Sequence, residues 1–163
     1  MYYDPFVVRT DPMGTVIWAR TYSYTVSYPL SISKKAGGGY LLAGNNGFGW
    51  PGEDGFSMSL AADGTLEWWK AYDTDEMSGS SAFELQNGEL FLASREAGPN
   101  IWMAADGTPL LKWNSAVPLT GKNLVALKND TVLIALTEGN GIWMQPKLLV
   151  APAEGSPHVL FVR

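Results

Sequence analysis

The amino-acid sequence predicts an all-β chain built as an array of four-stranded antiparallel units, about three and a half of them. Three observations carry that expectation. Turn signals recur as Ala62-Asp63-Gly64-Thr65, Ala105-Asp106-Gly107-Thr108 and Ala153-Glu154-Gly155-Ser156, with Asp11-Pro12-Met13-Gly14-Thr15 a looser first copy. Their glycines, 14, 64, 107 and 155, are separated by 50, 43 and 48 residues. A second set of turn signals, Gly37-Gly38, Asn87-Gly88 and Asn129-Asp130, stands at one fixed distance before Ala43, Ala93 and Ala135.

The elements follow in order from these anchors. Six residues before each glycine sits an apolar residue, Val8, Met58, Ile101 or Leu149, which places a strand there. Four residues after come Trp18, Trp68, Leu111 and Val159, and two further on Arg20, Lys70, Trp113 and Phe161. A spacing of two puts these side chains on one strand face. The segment Glu67–Met77 has helical propensity, but its counterpart Val16–Tyr22 is β-rich, so it is read as strand. Leu30–Lys34, Ala82–Gln86 and Leu124–Lys128 precede the second turns; Tyr40-Leu41-Leu42, Leu90-Phe91-Leu92 and Val132-Leu133-Ile134 follow them. Asn-Gly and Gly-Gly supply the positive φ angles of a two-residue hairpin turn. One unit is then the strands 55–61, 65–72, 81–86 and 89–94. Residues 1–163 form a single repeat domain with blocks at about 4–44, 54–94, 100–136 and 147–163, the last holding only its first two strands. The spacing is that of a propeller blade or a similar four-stranded unit.

Composition narrows the function. The 163 residues are 46% hydrophobic, 12% aromatic and 17% charged, enough for one domain with a sizeable core. Mean hydropathy is −0.03, and no stretch approaches the ~20 apolar residues of a membrane helix. A net charge of −5 without a Lys/Arg run argues against nucleic acid as a partner. No Cys and one His, His158, remove disulfides, thiolate chemistry and a multi-His metal site. No G-x-S-x-G elbow accompanies His158, which argues against serine-hydrolase chemistry. Met1-Tyr2-Tyr3-Asp4-Pro5 lacks the basic and apolar regions of a signal peptide. No cofactor is expected.

Phe56-Ser57-Met58-Ser59-Leu60 followed by Asp63-Gly64-Thr65-Leu66-Glu67-Trp68 resembles the tryptophan-docking repeat of quinoprotein-like β-propellers. Gly38-Gly39-Tyr40-Leu41-Leu42-Ala43-Gly44 with Asp54-Gly55-Phe56 is similar to secreted bacterial and archaeal propeller repeats. The likeness spans nearly the whole chain and thins where Leu111 and Val159 replace the Trp. It implies a partial β-propeller, of WD40 or quinoprotein type, often extracytoplasmic. It also implies structural roles for Trp18, Trp68, Gly14, Gly64, Gly107 and Gly155, with the two tryptophans mostly buried at matching positions. It implies no particular activity.

Candidate chemistry is sparse. Asn45-Asn46-Gly47-Phe48-Gly49-Trp50-Pro51-Gly52-Glu53-Asp54 reads as a long polar loop. There Trp50 and Phe48 can stack on a flat ligand face, with Asn45, Asn46 and Glu53 as hydrogen-bond partners; the alternative is a hydrophobic flap. Asp73, Asp75 and Glu76 form the densest acidic cluster, a candidate for a hard cation or an acid/base pair, or else a solvated loop. Asp63, Asp106 and Glu154 read as turn stabilisers. Tyr22, Tyr24 and Tyr28 suggest inter-unit packing or an aromatic patch, and Trp69 faces away from Trp68, open to solvent if its unit borders it. Arg20 and Lys70 either reach into a channel or lie over the Trp face. The expected function is a non-catalytic binding or scaffold module for a protein or carbohydrate ligand. The rivals are a carbohydrate-active enzyme using loop carboxylates and a fragment of a longer propeller, with a second copy or further blades as its partner.

Overall fold

In the computed structural model of the chain the described residues are 4–23, 27–46, 54–72, 79–94, 99–114, 123–126, 132–138, 145–151 and 158–160. Among them every regular element is a strand: β1 (Phe6–Thr10), β2 (Val16–Thr21), β3 (Ser27–Lys34), β4 (Tyr40–Asn46), β5 (Asp54–Leu60), β6 (Leu66–Tyr72) and β7 (Gly79–Glu84) come first. Then follow β8 (Leu90–Ser94), β9 (Pro99–Met103), β10 (Pro109–Asn114), β11 (Asn123–Ala126), β12 (Val132–Glu138), β13 (Gln145–Ala151) and β14 (His158–Leu160). The protein is all-β, with antiparallel sheets of two to four strands. No helix among the described residues is long and apolar enough to cross a membrane.

The strands join in sequence order into a two-stranded sheet β1-β2 and three four-stranded meanders, β3-β4-β5-β6, β7-β8-β9-β10 and β11-β12-β13-β14. This corrects the expected grouping. The strands 55–61, 65–72, 81–86 and 89–94 belong to two sheets, because β6 pairs with β5 and β7 with β8, while β6 and β7 do not pair. The sheets are therefore offset by two strands from the sequence blocks, and the half unit lies at the N-terminal end. A recurring pattern has no marked beginning; hydrogen bonding alone sets where a sheet starts.

Five hairpin turns of the first three sheets, all among the described residues, share one geometry. In Lys35–Gly39 the Gly38 N–H donates to the Lys35 carbonyl and the Lys35 N–H to the Gly39 carbonyl, both at 3.1 Å. Residues 11–15, 61–65, 85–89 and 104–108 repeat the pattern. Each is a three-residue loop, a β-turn followed by a glycine at positive φ; at Gly37-Gly38 and Asn87-Gly88 this replaces the expected two-residue turn. Asp63 Oδ1 and Asp106 Oδ1 each accept the N–H two residues on, at 2.9 Å, and Asn87 Oδ1 does the same for Glu89. Those backbone donors, foremost among the causes, hold the Asp63 and Asp106 carboxyls below the usual range, so the turn-stabilising reading of both stands on geometry.

Burial explains why β4 and β8 read as apolar runs instead of alternating. Leu41, Leu42 and Ala43 of β4 are all buried, as are Leu90–Ser94 of β8, because a sheet packs on both faces. One core lies between the first and second sheets, with Val7 and Tyr22 against Leu42, Phe56, Met58 and Leu60. The next lies between the second and third, with Leu41, Ala43 and Tyr72 against Ala82, Leu90, Leu92, Ile101 and Met103. Trp69 is part of the first core, half-buried and stacked on Phe56 at 6.5 Å, instead of facing solvent.

Candidate functional site

Two seams and two ends of the sheets place the singled-out residues that lie among the described ones. At the first seam, Trp18 of β2 lies on the turn of the second sheet, its Nε1 donating to the Ala62 carbonyl at 3.1 Å. A Cβ built on Gly64 would stand 3.0 Å from the Trp18 ring, so the bare glycine is what lets the ring approach. Arg20 Nε donates to the Asp63 carbonyl at 3.2 Å and Tyr22 Oη to the Gly64 carbonyl at 2.6 Å. Arg9 adds a bond to the Ala62 carbonyl at 2.8 Å.

The second seam has the same parts 50 and 43 residues further along. Trp68 sits over Gly107, whose Cβ would come within 2.7 Å of its ring. Lys70 Nζ donates to Thr108 Oγ1 at 2.8 Å and stands 3.9 Å from Asp106 Oδ1. Tyr72 Oη donates to the Gly107 carbonyl at 3.1 Å and shares a 2.6 Å bond with Ser57 Oγ. Burial pushes the Tyr72 phenol up to about 12, against the lowering effect of that hydroxyl. Tyr22 is raised for the same first cause.

Trp18 and Trp68 thus occupy matching places, but each is half-buried instead of mostly buried, with the ring laid on an adjacent turn. Arg20 and Lys70 both reach that turn's polar atoms. Gly14 also has a positive φ, 85°, but nothing within 4 Å of a Cβ: its turn carries no docked ring among the described residues. The tyrosine four residues after each Trp, Tyr22 and Tyr72, was an available spacing signal; the second of the pair is the seam residue that sequence reasoning missed.

At the turn end, Lys35 Nζ pairs with Glu67 and donates to Ser59 Oγ at 2.7 Å, while Ser59 Oγ donates to the same Glu67 oxygen at 2.6 Å. Lys35 foremost, then Ser59, hold the Glu67 carboxyl below its ordinary range. The Ala36 N–H donates to Glu84, which ties the second sheet's first turn to the third sheet. These groups satisfy one another.

The opposite end is where the other connections begin and finish. Asn46 pairs with Asp54, Gly55 with Tyr72, Ser27 with Asn46 and Gly79 with Ser94, so these strand ends gather at one end of their sheets. Asn45 and Asn46 are strand residues of β4, paired with Gly55 and Asp54, and not part of a loop as expected. Phe48, Trp50 and Glu53 lie outside the described residues, as do Asp73, Asp75, Glu76, Tyr24, Glu154 and Gly155. Tyr28 is half-buried in β3, and His158 opens β14 opposite Val150. Among the described residues no three His, Cys, Asp or Glu side chains come together in a way that can hold a metal ion.

No protein-family model and no curated protein matches this chain.

Proposed function

We propose that the chain is a non-catalytic binding or scaffold module of the β-propeller type, with a protein or carbohydrate ligand. Its ligand surface is the end of the sheets from which the 47–53 and 73–78 connections leave. The observation that supports this reading is the contrast between the two ends. One end consists of short turns whose polar groups are consumed by their own hydrogen bonds and by neighbouring sheets. The other gathers the strand ends that flank Phe48, Trp50, Glu53, Asp73, Asp75 and Glu76. Long connections on a rigid scaffold are where recognition residues concentrate. The sheet-to-sheet docking supports the propeller type, since the same aromatic strand meets the same turn twice. Among the described residues the carboxylates displaced from their ordinary range, Asp63, Glu67 and Asp106, are displaced downward, which suits charge pairing and turn stabilisation at these three positions.

An oligosaccharide array probed with the wild-type chain and with Trp50→Ala and Phe48→Ala tests this. Binding to a glycan class that weakens ~10-fold or more in the variants, at unchanged melting temperature, supports the reading. Cleavage of a glycan that Asp73→Asn or Asp75→Asn abolishes overturns it in favour of an enzyme.

A further inference from the structure

Ala82 and Ile32 hold the same place in successive sheets. Ala82 pairs with Leu92 across β7–β8, Ile32 pairs with Leu42 across β3–β4, and each points toward the sheet before it. Their surroundings differ. Ala82 is 2% exposed, covered by β3 and β4, and its carbonyl accepts Ser33 Oγ at 2.8 Å. Ile32 is 53% exposed and its neighbour Leu30 47% exposed. The reason is the strand count. Among the described residues the first sheet contains β1 and β2, the counterparts of β5 and β6, and no described strand stands where β3 and β4 stand in the second sheet. The edge of β1 away from β2 has no strand beside it among the described residues.

We infer that this open edge and the Leu30–Ile32 face together are the docking site of a β-hairpin built like β3–β4: a strand, a three-residue glycine turn and a second strand. Its second strand pairs antiparallel with β1, as β4 pairs with β5 and β8 with β9. Its first strand covers Ile32, as β3 covers Ala82. The face is continuous with the core already formed between the first two sheets, and the occupant presents small and aliphatic side chains to it, as Ser31, Ser33, Leu41 and Ala43 do in the seam between the second and third sheets. Unpaired backbone groups along β1 supply the directional part of the recognition.

A second copy paired through its own β1 does not fit the site. Two β1 strands joined antiparallel are related by a two-fold axis normal to the sheet, which keeps both β3–β6 sheets on one side of the joined sheet. Each of those sheets extends past the β1 edge, so the two would claim the same space. The chain also has no spare hairpin among its described strands, since β3 to β14 are all taken up in four-stranded sheets.

The test is hydrogen exchange of the full 163-residue chain titrated with a synthetic peptide of residues 27–46, against a scrambled peptide. The expected result is amide exchange in β1 slowed by roughly tenfold or more, with a raised melting temperature, and loss of both effects in Ile32→Asp. Leu30→Asp, a second exposed position, is expected to act in the same direction. Absence of slowing across the titration overturns the inference. So does slowing in β1 that Ile32→Asp and Leu30→Asp leave intact. A free chain that is already dimeric with β1 protected overturns it as well, because a second copy is then the occupant. The readout does not involve the 47–53 connection, so its failure leaves the ligand proposal standing.

Discussion

Trp68 and Gly107 make one close contact of the second seam, beside its buried core. The nearest atom of the ring is 2.7 Å from where a Cβ on Gly107 would sit, so Gly107→Ala meets both a positive φ of 78° and that close contact. Gly14→Ala meets only the positive φ, which costs ~1–2 kcal/mol. Gly107→Ala is therefore expected to destabilise more than Gly14→Ala in urea unfolding, and equal costs would contradict the docking geometry. Trp68→Ala removes a half-buried ring and leaves a partial cavity, for an expected loss of roughly 2–4 kcal/mol. Tyr72 adds a pH signature. Its phenol is neutral in the fold up to about 12, whereas an exposed tyrosine ionises near 10. The unfolded chain thus gives up its proton first, so this stabilisation is complete below about pH 10 and declines as pH rises toward 12. Denaturation at a series of alkaline pH values is expected to show that decline in the wild type and a shallower one in Tyr72→Phe.

At the scale of elements, position within the sheet decides what a substitution does. Ile32→Lys puts a charge on an exposed face and is expected to change stability little, whereas Ala82→Lys at the matching place in β7 buries an unpaired charge and is expected to abolish cooperative unfolding or lower its midpoint sharply. Thermal melts of the two variants check the contrast. The same elements mark what the sequence made legible. The strands around Gly64 and Gly107 and the strand state of Leu66–Tyr72 were readable, because turn glycines and alternating aromatic residues leave local signals. The phase of the sheets was not, since pairing of β6 with β5 and not β7 is a non-local choice. Turn length was misread for a related reason: Asn87-Gly88 fits a two-residue turn or a three-residue one, and the register of β7 on β8 selects the latter. Asn45 and Asn46 looked like loop residues from their composition, yet partners at Gly55 and Asp54 extend β4 through them. Of the proposed ligand surface, the sequence supplied the candidate side chains as an expectation, and topology added that the strands flanking them end together.

Across the whole molecule, protection is expected to fall toward the two-stranded sheet. β8 and β9 are covered on both faces, whereas Phe6, Val8 and Ile17 of the first sheet are exposed. Native-state hydrogen exchange of the free chain is expected to find β1 and β2 exchanging far faster than β8 and β9. Uniform protection would mean that the first sheet is covered in solution. The central claim is narrower: successive sheets are held by an aromatic strand laid on the glycine turn of the next, by the same contact at two seams. A double-mutant cycle in urea on Trp68→Phe and Gly107→Ala, repeated for Trp18→Phe and Gly64→Ala, measures that contact most directly. The smaller ring leaves room for the added methyl. The glycine substitution is therefore expected to cost less in the Phe background, with a coupling of about 1 kcal/mol at both seams. Additive effects at both seams would contradict the account, because the ring and the turn would then not be in contact.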